Sequence, residues 1–151
     1  MLKQGTQELL RTYCANHPSI AEIEAPLTEC IVRLVDCFSK GGQLLICGNG
    51  GSCADADHIV GELVKAFRLQ RPLDELTVRR LQEQGEQGAL LADRLQSGLP
   101  AISLGAHASL LTAMVNDVGG RYIFGQQVVA YGREGDILLG ISTSGNSDDV
   151  L

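Results

Sequence analysis

The sequence predicts a three-layer α/β/α sandwich built on a parallel β-sheet. Three observations carry that reading. Short apolar runs occur at residues 43–47, 100–104 and 136–141, loops rich in glycine or hydroxyl side chains directly follow the first and third, and helical periodicities fill the stretches between them. An apolar run of this length bounded by turn formers suits a strand buried on both faces. Strands alternating with helices make parallel sheets, whose ligands bind at the carboxyl ends of the strands.

Taken in order, the residues ahead of His17-Pro18 form a helix with Leu9, Leu10 and Tyr13 on one side. A longer helical pattern starts at Ser19 and places Ile20, Ile23, Leu27, Ile31, Leu34 and Phe38 near helical spacing. Pro26 fits such a helix only in its first turn, and Gly41-Gly42 stops it. The first strand, 43–47, runs into Gly48-Asn49-Gly50-Gly51-Ser52 and then into a helix over residues 53–67. Residues 74–98, rich in Glu, Gln, Arg and Leu, read as a helical excursion on the surface, with Leu81, Ala92 and Leu95 on one side. Gly85 and Gly88 weaken that pattern, and a loose loop suits the composition nearly as well. The second strand, 100–104, precedes helices over 109–115 and 121–131, and the third strand, 136–141, empties into a small polar loop. The whole reads as a single domain, with helices in 1–40 and an α/β core in 41–151.

Composition narrows the function. A chain of 151 residues, 44% hydrophobic and 20% charged, can bury one core and is not disordered. A net charge of −6 without a Lys/Arg cluster argues against a nucleic-acid surface. One small phosphate is still within reach, because backbone amides and a helix terminus supply local positive potential. Five cysteines, an odd number without CxxC spacing, point to reduced thiols in a cytoplasmic protein rather than a disulfide framework or a zinc ribbon. Neither a signal peptide nor a membrane-crossing apolar run is expected.

Four features carry chemistry. The loop Ser142-Thr143-Ser144-Gly145-Asn146-Ser147 follows a strand and precedes an expected helix start at Asp148. Helix capping explains one or two such residues, whereas the whole loop matches a phosphate held by hydroxyls and amides. It lacks the lysine of a Walker loop. In residues 48–52 the glycines admit a ligand close to the backbone, and Asn49 and Ser52 offer hydrogen bonds. The same residues suit a tight turn equally well, and they fall short of the GxGxxG pattern of nicotinamide sites.

The third feature is His58 with Glu62, four residues apart on a helix and sharing a stripe with Asp55 and Lys65. Ala56, Ile59 or Val60, Leu63 and Phe67 make the opposite, packing side. Such a pair can ligate a metal, or Glu62 can move a proton with His58 beside it. An isolated pair is more simply a solvated stripe, and it is the ligand-type loop just ahead that favours chemistry. Asn116-Asp117, before Gly119-Gly120, is a turn signal that gains meaning only if the fold brings it to the same sheet edge. His17 and His107 have no supporting pattern.

The segments CGNGGSCADADHIVGEL, VNDVGGRYIFGQQV and GREGDILLGISTSGNSDDVL resemble the phosphoheptose isomerases, a branch of the sugar isomerase (SIS) superfamily. The likeness spans most of the chain from the second helix onward. It implies that Asn49, Gly50 and Gly51 touch the sugar, that Ser52 lies near the phosphate, and that Ser142, Thr143, Ser144 and Ser147 hold that phosphate. It also implies that Asn116 and Asp117 meet sugar hydroxyls, and that His58 and Glu62 bind zinc. The implied reaction converts sedoheptulose 7-phosphate to a heptose 7-phosphate through an enediol(ate), with Glu62 as base and His58 beside it, for cell-envelope sugar synthesis. A cytoplasmic homotetramer is implied as well.

Two departures accompany the likeness. The 74–98 stretch is longer than in the best-known members and is expected to reshape the site's mouth or an oligomer interface. The family also continues through further strands and a final helix bearing a glutamine and a histidine, so a C-terminal part of the constellation is expected to be missing from residues 1–151. The rival expectation is a non-catalytic SIS protein of the type that associates with the replication initiator DnaA.

Overall fold

The computed structural model describes residues 2–151, in two compact units that meet in sequence at Gly42 and Gln43. The first holds α1 (Gln4–Asn16), α2 (Pro18–Ala21) and α3 (Glu24–Ser39). In α1 the buried side is Leu10 and Cys14, one turn apart, while Leu9 and Tyr13, expected to share it, stay half exposed. The Tyr13 ring stacks instead on His17 at 4.3 Å, and His17 Nδ1 donates to the Tyr13 carbonyl at 2.8 Å. His17 therefore finishes a helix. Pro26 lies in the first turn of α3, as its lack of an amide hydrogen requires. Gly41, at φ +80°, closes α3: its amide reaches Phe38 O at 3.1 Å and the Gly42 amide reaches Cys37 O at 2.9 Å. That paired closure satisfies carbonyls the helix leaves open.

The second unit holds β1 (Leu44–Gly48), α4 (Gly51–Val64), α5 (Glu75–Gln82), α6 (Glu86–Arg94), β2 (Ala101–Ser103), α7 (Ala108–Asp117), a 3-10 turn (Gly120–Tyr122), α8 (Ile123–Tyr131) and β3 (Ile137–Ile141). The strands are parallel in the order β2-β1-β3. Every residue of β1 is buried. Leu45 and Cys47 face a core completed by Leu104, Phe124 of α8, Leu111 of α7 and Val150. Gly48, on the same face of β1 as Ile46, abuts Ser52 at the start of α4. Helices thus cover both faces, the layering the sequence predicts. Full burial of Leu44, Leu45 and Ile46 contributes about 2 kcal/mol each.

Two elements differ from expectation for tertiary reasons. Helix α4 stops at Val64 rather than at residue 67, and Phe67 is 79% exposed instead of packing. The Leu63 carbonyl is taken by Arg71 Nη2 at 2.6 Å and by the Leu99 amide at 2.9 Å, which turns the chain out of the helix. The excursion forms a helical hairpin. Asp74 caps α5 by accepting from the Thr77 amide and hydroxyl at 3.0 and 2.6 Å, and Gly85 turns at φ +85°. Gly88 is buried where a Cβ would collide with the Leu81 carbonyl. The glycine that weakens the helix locally is what lets the two helices cross. The hairpin's base lies at the carboxyl end of α4, beside Glu62 in sequence and at the end of the sheet opposite the serine loop.

Strand β3 is pinned at its start by Asp136. That carboxylate accepts from the Gln43 amide at 3.0 Å, from Gln43 Nε2 at 2.9 Å and from the Arg133 amide at 2.9 Å. These bonds, the Gln43 side chain's first, hold its pKa below the ordinary value.

Candidate ligand site at the carboxyl edge of the sheet

Strand β1 is flanked by β2 on one side and β3 on the other: the chain passes from β1 to β2, then crosses back beyond β1 to β3, so its direction of travel reverses. The crevice at such a reversal, above the carboxyl ends of β1 and β3, is where open parallel sheets bind ligands. Gly48 pairs with Ile141 in register. One residue beyond that pair, Asn49 and Ser142 emerge from neighbouring strands spaced about 5 Å apart. The topology therefore joins the two loops the sequence singles out.

The three glycines of the first loop have different causes. A Cβ on Gly48 would sit 2.8 Å from Ser52 Cβ and 2.9 Å from the Ile141 carbonyl oxygen, so space excludes any side chain. Gly50 has φ +54° and ψ −119°, the first central position of a type II′ turn. It takes the Cys53 amide at 3.1 Å and so starts α4. Gly51 has no left-handed φ, and nothing lies within 4 Å of its Cβ position. Nothing in the fold requires glycine there, which leaves close ligand approach as the physical use of its small size. Ser52 is largely buried beneath Gly48.

The second loop is held by its own side chains. Ser142 Oγ and Ser147 Oγ lie 3.0 Å apart, and the Gly145 amide donates to Ser142 Oγ at 3.1 Å. The Asn146 amide donates to Ser144 Oγ at 3.2 Å, and Asn146 Nδ2 to Ser144 O at 3.0 Å. Gly145, at φ +67°, makes the bend. Thr143 and Ser144 are exposed. At Asp148 the chain enters a helical turn, with the Val150 and Leu151 amides on Ser147 O at 3.0 and 3.1 Å. Asp149, not among the residues singled out from sequence, crosses the crevice: Asn49 Nδ2 is 2.9 Å from each of its carboxylate oxygens. Burial, and secondarily the Asp149 charge, push the Cys47 thiol up. The only sequence signal for Asp149 was its place two residues beyond Ser147.

Asn116 and Asp117 end α7 and bond to each other at 2.7 Å rather than to either loop. Arg121, four residues further on, reaches Asp148 at 4.0 Å, which brings this stretch to the same edge. His58 and Glu62 lie elsewhere. At about 1.5 Å per residue they sit roughly 10 and 16 Å along α4 from its first turn. His58 is exposed; Glu62 is partly buried, with Oε1 3.6 Å from Lys65 Nζ and Oε2 buried without a hydrogen-bond partner. An orphaned carboxylate oxygen is a ready acceptor for a proton or a cation. Among the described residues, however, no group of three or more His, Cys, Asp or Glu side chains could hold a metal. His58 and Glu62 supply at most two of the four donors zinc takes.

Fold and crevice together define an α/β domain whose glycine-rich and serine-rich loops meet at the carboxyl edge of a parallel sheet. Residues 17–96 match the family model described as the SIS domain, and the chain belongs to that family. Phosphoheptose isomerase from Trichlorobacter lovleyi is 43% identical over 130 residues, covering 86% of this chain and 54% of that protein. The phosphoheptose isomerase of a Roseiflexus species is 43% identical over 131 residues, with coverage of 86% and 54%. The solved structure of phosphoheptose isomerase GmhA from Neisseria gonorrhoeae superposes with a TM-score of 0.62 at 31% identity, covering 97% of this chain and 60% of that one. The chain spans between half and two thirds of the length of these relatives.

Proposed function

We propose that this protein is a phosphoheptose isomerase, interconverting sedoheptulose 7-phosphate and D-glycero-D-manno-heptose 7-phosphate. The observation that carries the reading is the meeting of the glycine loop and the serine loop at the β1–β3 crevice, through the pairing of Gly48 with Ile141. The phosphate is assigned to Ser142, Thr143, Ser144 and Ser147, with Ser52 beside it. The sugar is assigned to Asn49, Gly50 and Gly51, with Asn116 and Asp117 on its hydroxyls.

Glu62, with its partnerless Oε2, is assigned as the base that takes the proton from the carbon beside the carbonyl. The C2 carbonyl oxygen gains a proton, giving the enediol; the C1 hydroxyl then gives up its proton as C2 takes back the one Glu62 holds, leaving the aldehyde at C1. His58, beside Glu62 on α4, is assigned to the same proton transfer. Zinc is proposed on His58 and Glu62 together with donors from outside the described residues; bound there, it would stabilise the enediolate charge. A homotetramer, a cytoplasmic location and a role in lipopolysaccharide heptose supply belong to the same proposal. For location, the observation is that no helix among the described residues is long and apolar enough to cross a membrane.

The test is turnover of sedoheptulose 7-phosphate with and without a chelator, by wild type and Glu62→Gln. Loss of about 10²- to 10⁴-fold in the variant is expected for removal of a general base. Absence of turnover in wild type, together with capture of the DnaA initiator, would establish the regulatory alternative instead.

A further inference from the structure

We propose that Asp149 is a positioning residue for Asn49, setting that amide to read the sugar and coupling sugar recognition to the phosphate loop. This rests on the sugar-phosphate reading above. Asn49 Nδ2 lies 2.9 Å from both oxygens of Asp149, so the amide nitrogen is turned toward the carboxylate. Its carbonyl Oδ1 is then left to the ligand side, where it accepts from a sugar hydroxyl. An unanchored asparagine would present nitrogen or oxygen indifferently. The contact joins residues 100 positions apart, in the loops that follow β1 and β3, so it is a product of the fold and not of local sequence.

Asp149 is itself fixed from both sides. On one, the Val150 and Leu151 amides close a turn on Ser147 O. On the other, Val150 plugs into the core beside Leu45, Cys47 and Phe124. It does so against Gly140, where a Cβ would come within 2.8 Å of Val150 Cγ1. The carboxylate is therefore held by a core residue after it and a phosphate-loop serine before it. A ligand that orders Ser147 also orders the partner of Asn49. The same negative charge opposes a phosphate in the neighbouring loop, so removing it has opposite effects on the two halves of a sugar phosphate.

The experiment is calorimetric titration of inorganic phosphate and of sedoheptulose 7-phosphate into wild type, Asp149→Ala and Asp149→Asn, with melting curves to establish that each is folded. Asp149→Ala is expected to bind sugar phosphate about tenfold more weakly, the loss expected for a hydrogen bond to a charged group. Inorganic phosphate is expected to bind it as well as wild type or tighter. Asp149→Asn keeps an acceptor for Asn49 Nδ2 and is expected to recover most of the sugar-phosphate affinity. Equal weakening of both ligands in Asp149→Ala, or no change in either, overturns the inference. Failure of wild type to bind sedoheptulose 7-phosphate while it binds inorganic phosphate overturns the sugar assignment itself, and the positioning role falls with it. A variant that does not fold is replaced by Asn49→Asp in the same titrations: two facing carboxylates should lower sugar-phosphate affinity more than phosphate affinity, and equal losses again overturn the inference.

Discussion

The two corners of the crevice are built in opposite ways. The β1 corner is an extension of the core: its strand is wholly buried, Gly48 is fixed by lack of space, and Ser52 packs under it. The β3 corner stands at an edge, with Leu138 51% and Leu139 37% exposed, and its loop is held by hydroxyl-to-hydroxyl and hydroxyl-to-amide bonds. One loop gets its shape from packing and the other from the groups that would also hold a phosphate. The first is consequently rigid before ligand arrives. In the second, the hydroxyls must exchange loop bonds for ligand bonds.

Breaking the first corner should have the largest effect. Gly48→Ala forces a Cβ against a backbone carbonyl and is expected to cost about 3 kcal/mol in urea denaturation, the upper range for overpacking. Gly51→Ala, three residues on, meets no neighbour and is expected to leave stability unchanged or raise it by up to about 1 kcal/mol. Its sugar-phosphate affinity should nonetheless fall, measured by calorimetry.

The second corner should yield less, and non-additively. Ser147→Ala removes one end of the Ser142–Ser147 bond and is expected to cost about 1 kcal/mol; Ser142→Ala also strands the Gly145 amide and is expected to cost about 1–2 kcal/mol. The double variant should cost little more than the worse single one, a coupling that a double-mutant cycle reads directly.

The smallest effect concerns the base of β3 and is read from the pH dependence of stability. Asp136 has its folded pKa lowered, chiefly by the Gln43 side chain. A depressed carboxylate pKa contributes stability above the unfolded value, and that contribution is lost as pH falls through the folded value. Asp136→Asn should therefore lower Tm near neutrality and flatten its decline below about pH 4, where the ordinary aspartate titrates. Asp74, lowered chiefly by the Thr77 side chain, shares that window, so Asp74→Asn is the control for the share of the acid limb that belongs to β3.

Features of local origin were legible in the sequence. Apolar runs bounded by turn formers marked the strands, and the composition of residues 48–52 and 142–147 marked both loops. What eluded sequence reading depends on groups far apart in the chain. The end of α4 is decided by Arg71 and Leu99 at Leu63, and no periodicity up to Val64 reports them. Gly88 looks like a helix breaker until Leu81 is placed against it. Leu9 and Leu10 are adjacent apolar residues, and only packing decides that Leu10 with Cys14 turns inward. Asp149 reads as an ordinary polar residue until the strand order puts Asn49 beside it. His58 and Glu62 were legible as a pair, but their distance down α4 from the loops required the direction of the helix.

The central claim is that one ligand spans both corners of the crevice. Backbone amide resonances of isotopically labelled protein, followed while inorganic phosphate and then sedoheptulose 7-phosphate are added, test it most directly. The account predicts shifts at residues 48–52 and 142–149 with both ligands, and additional shifts at residues 58–62 only with the sugar phosphate. Shifts confined to α1–α3 or to the α5–α6 hairpin, with residues 48–52 and 142–149 unmoved, would contradict it.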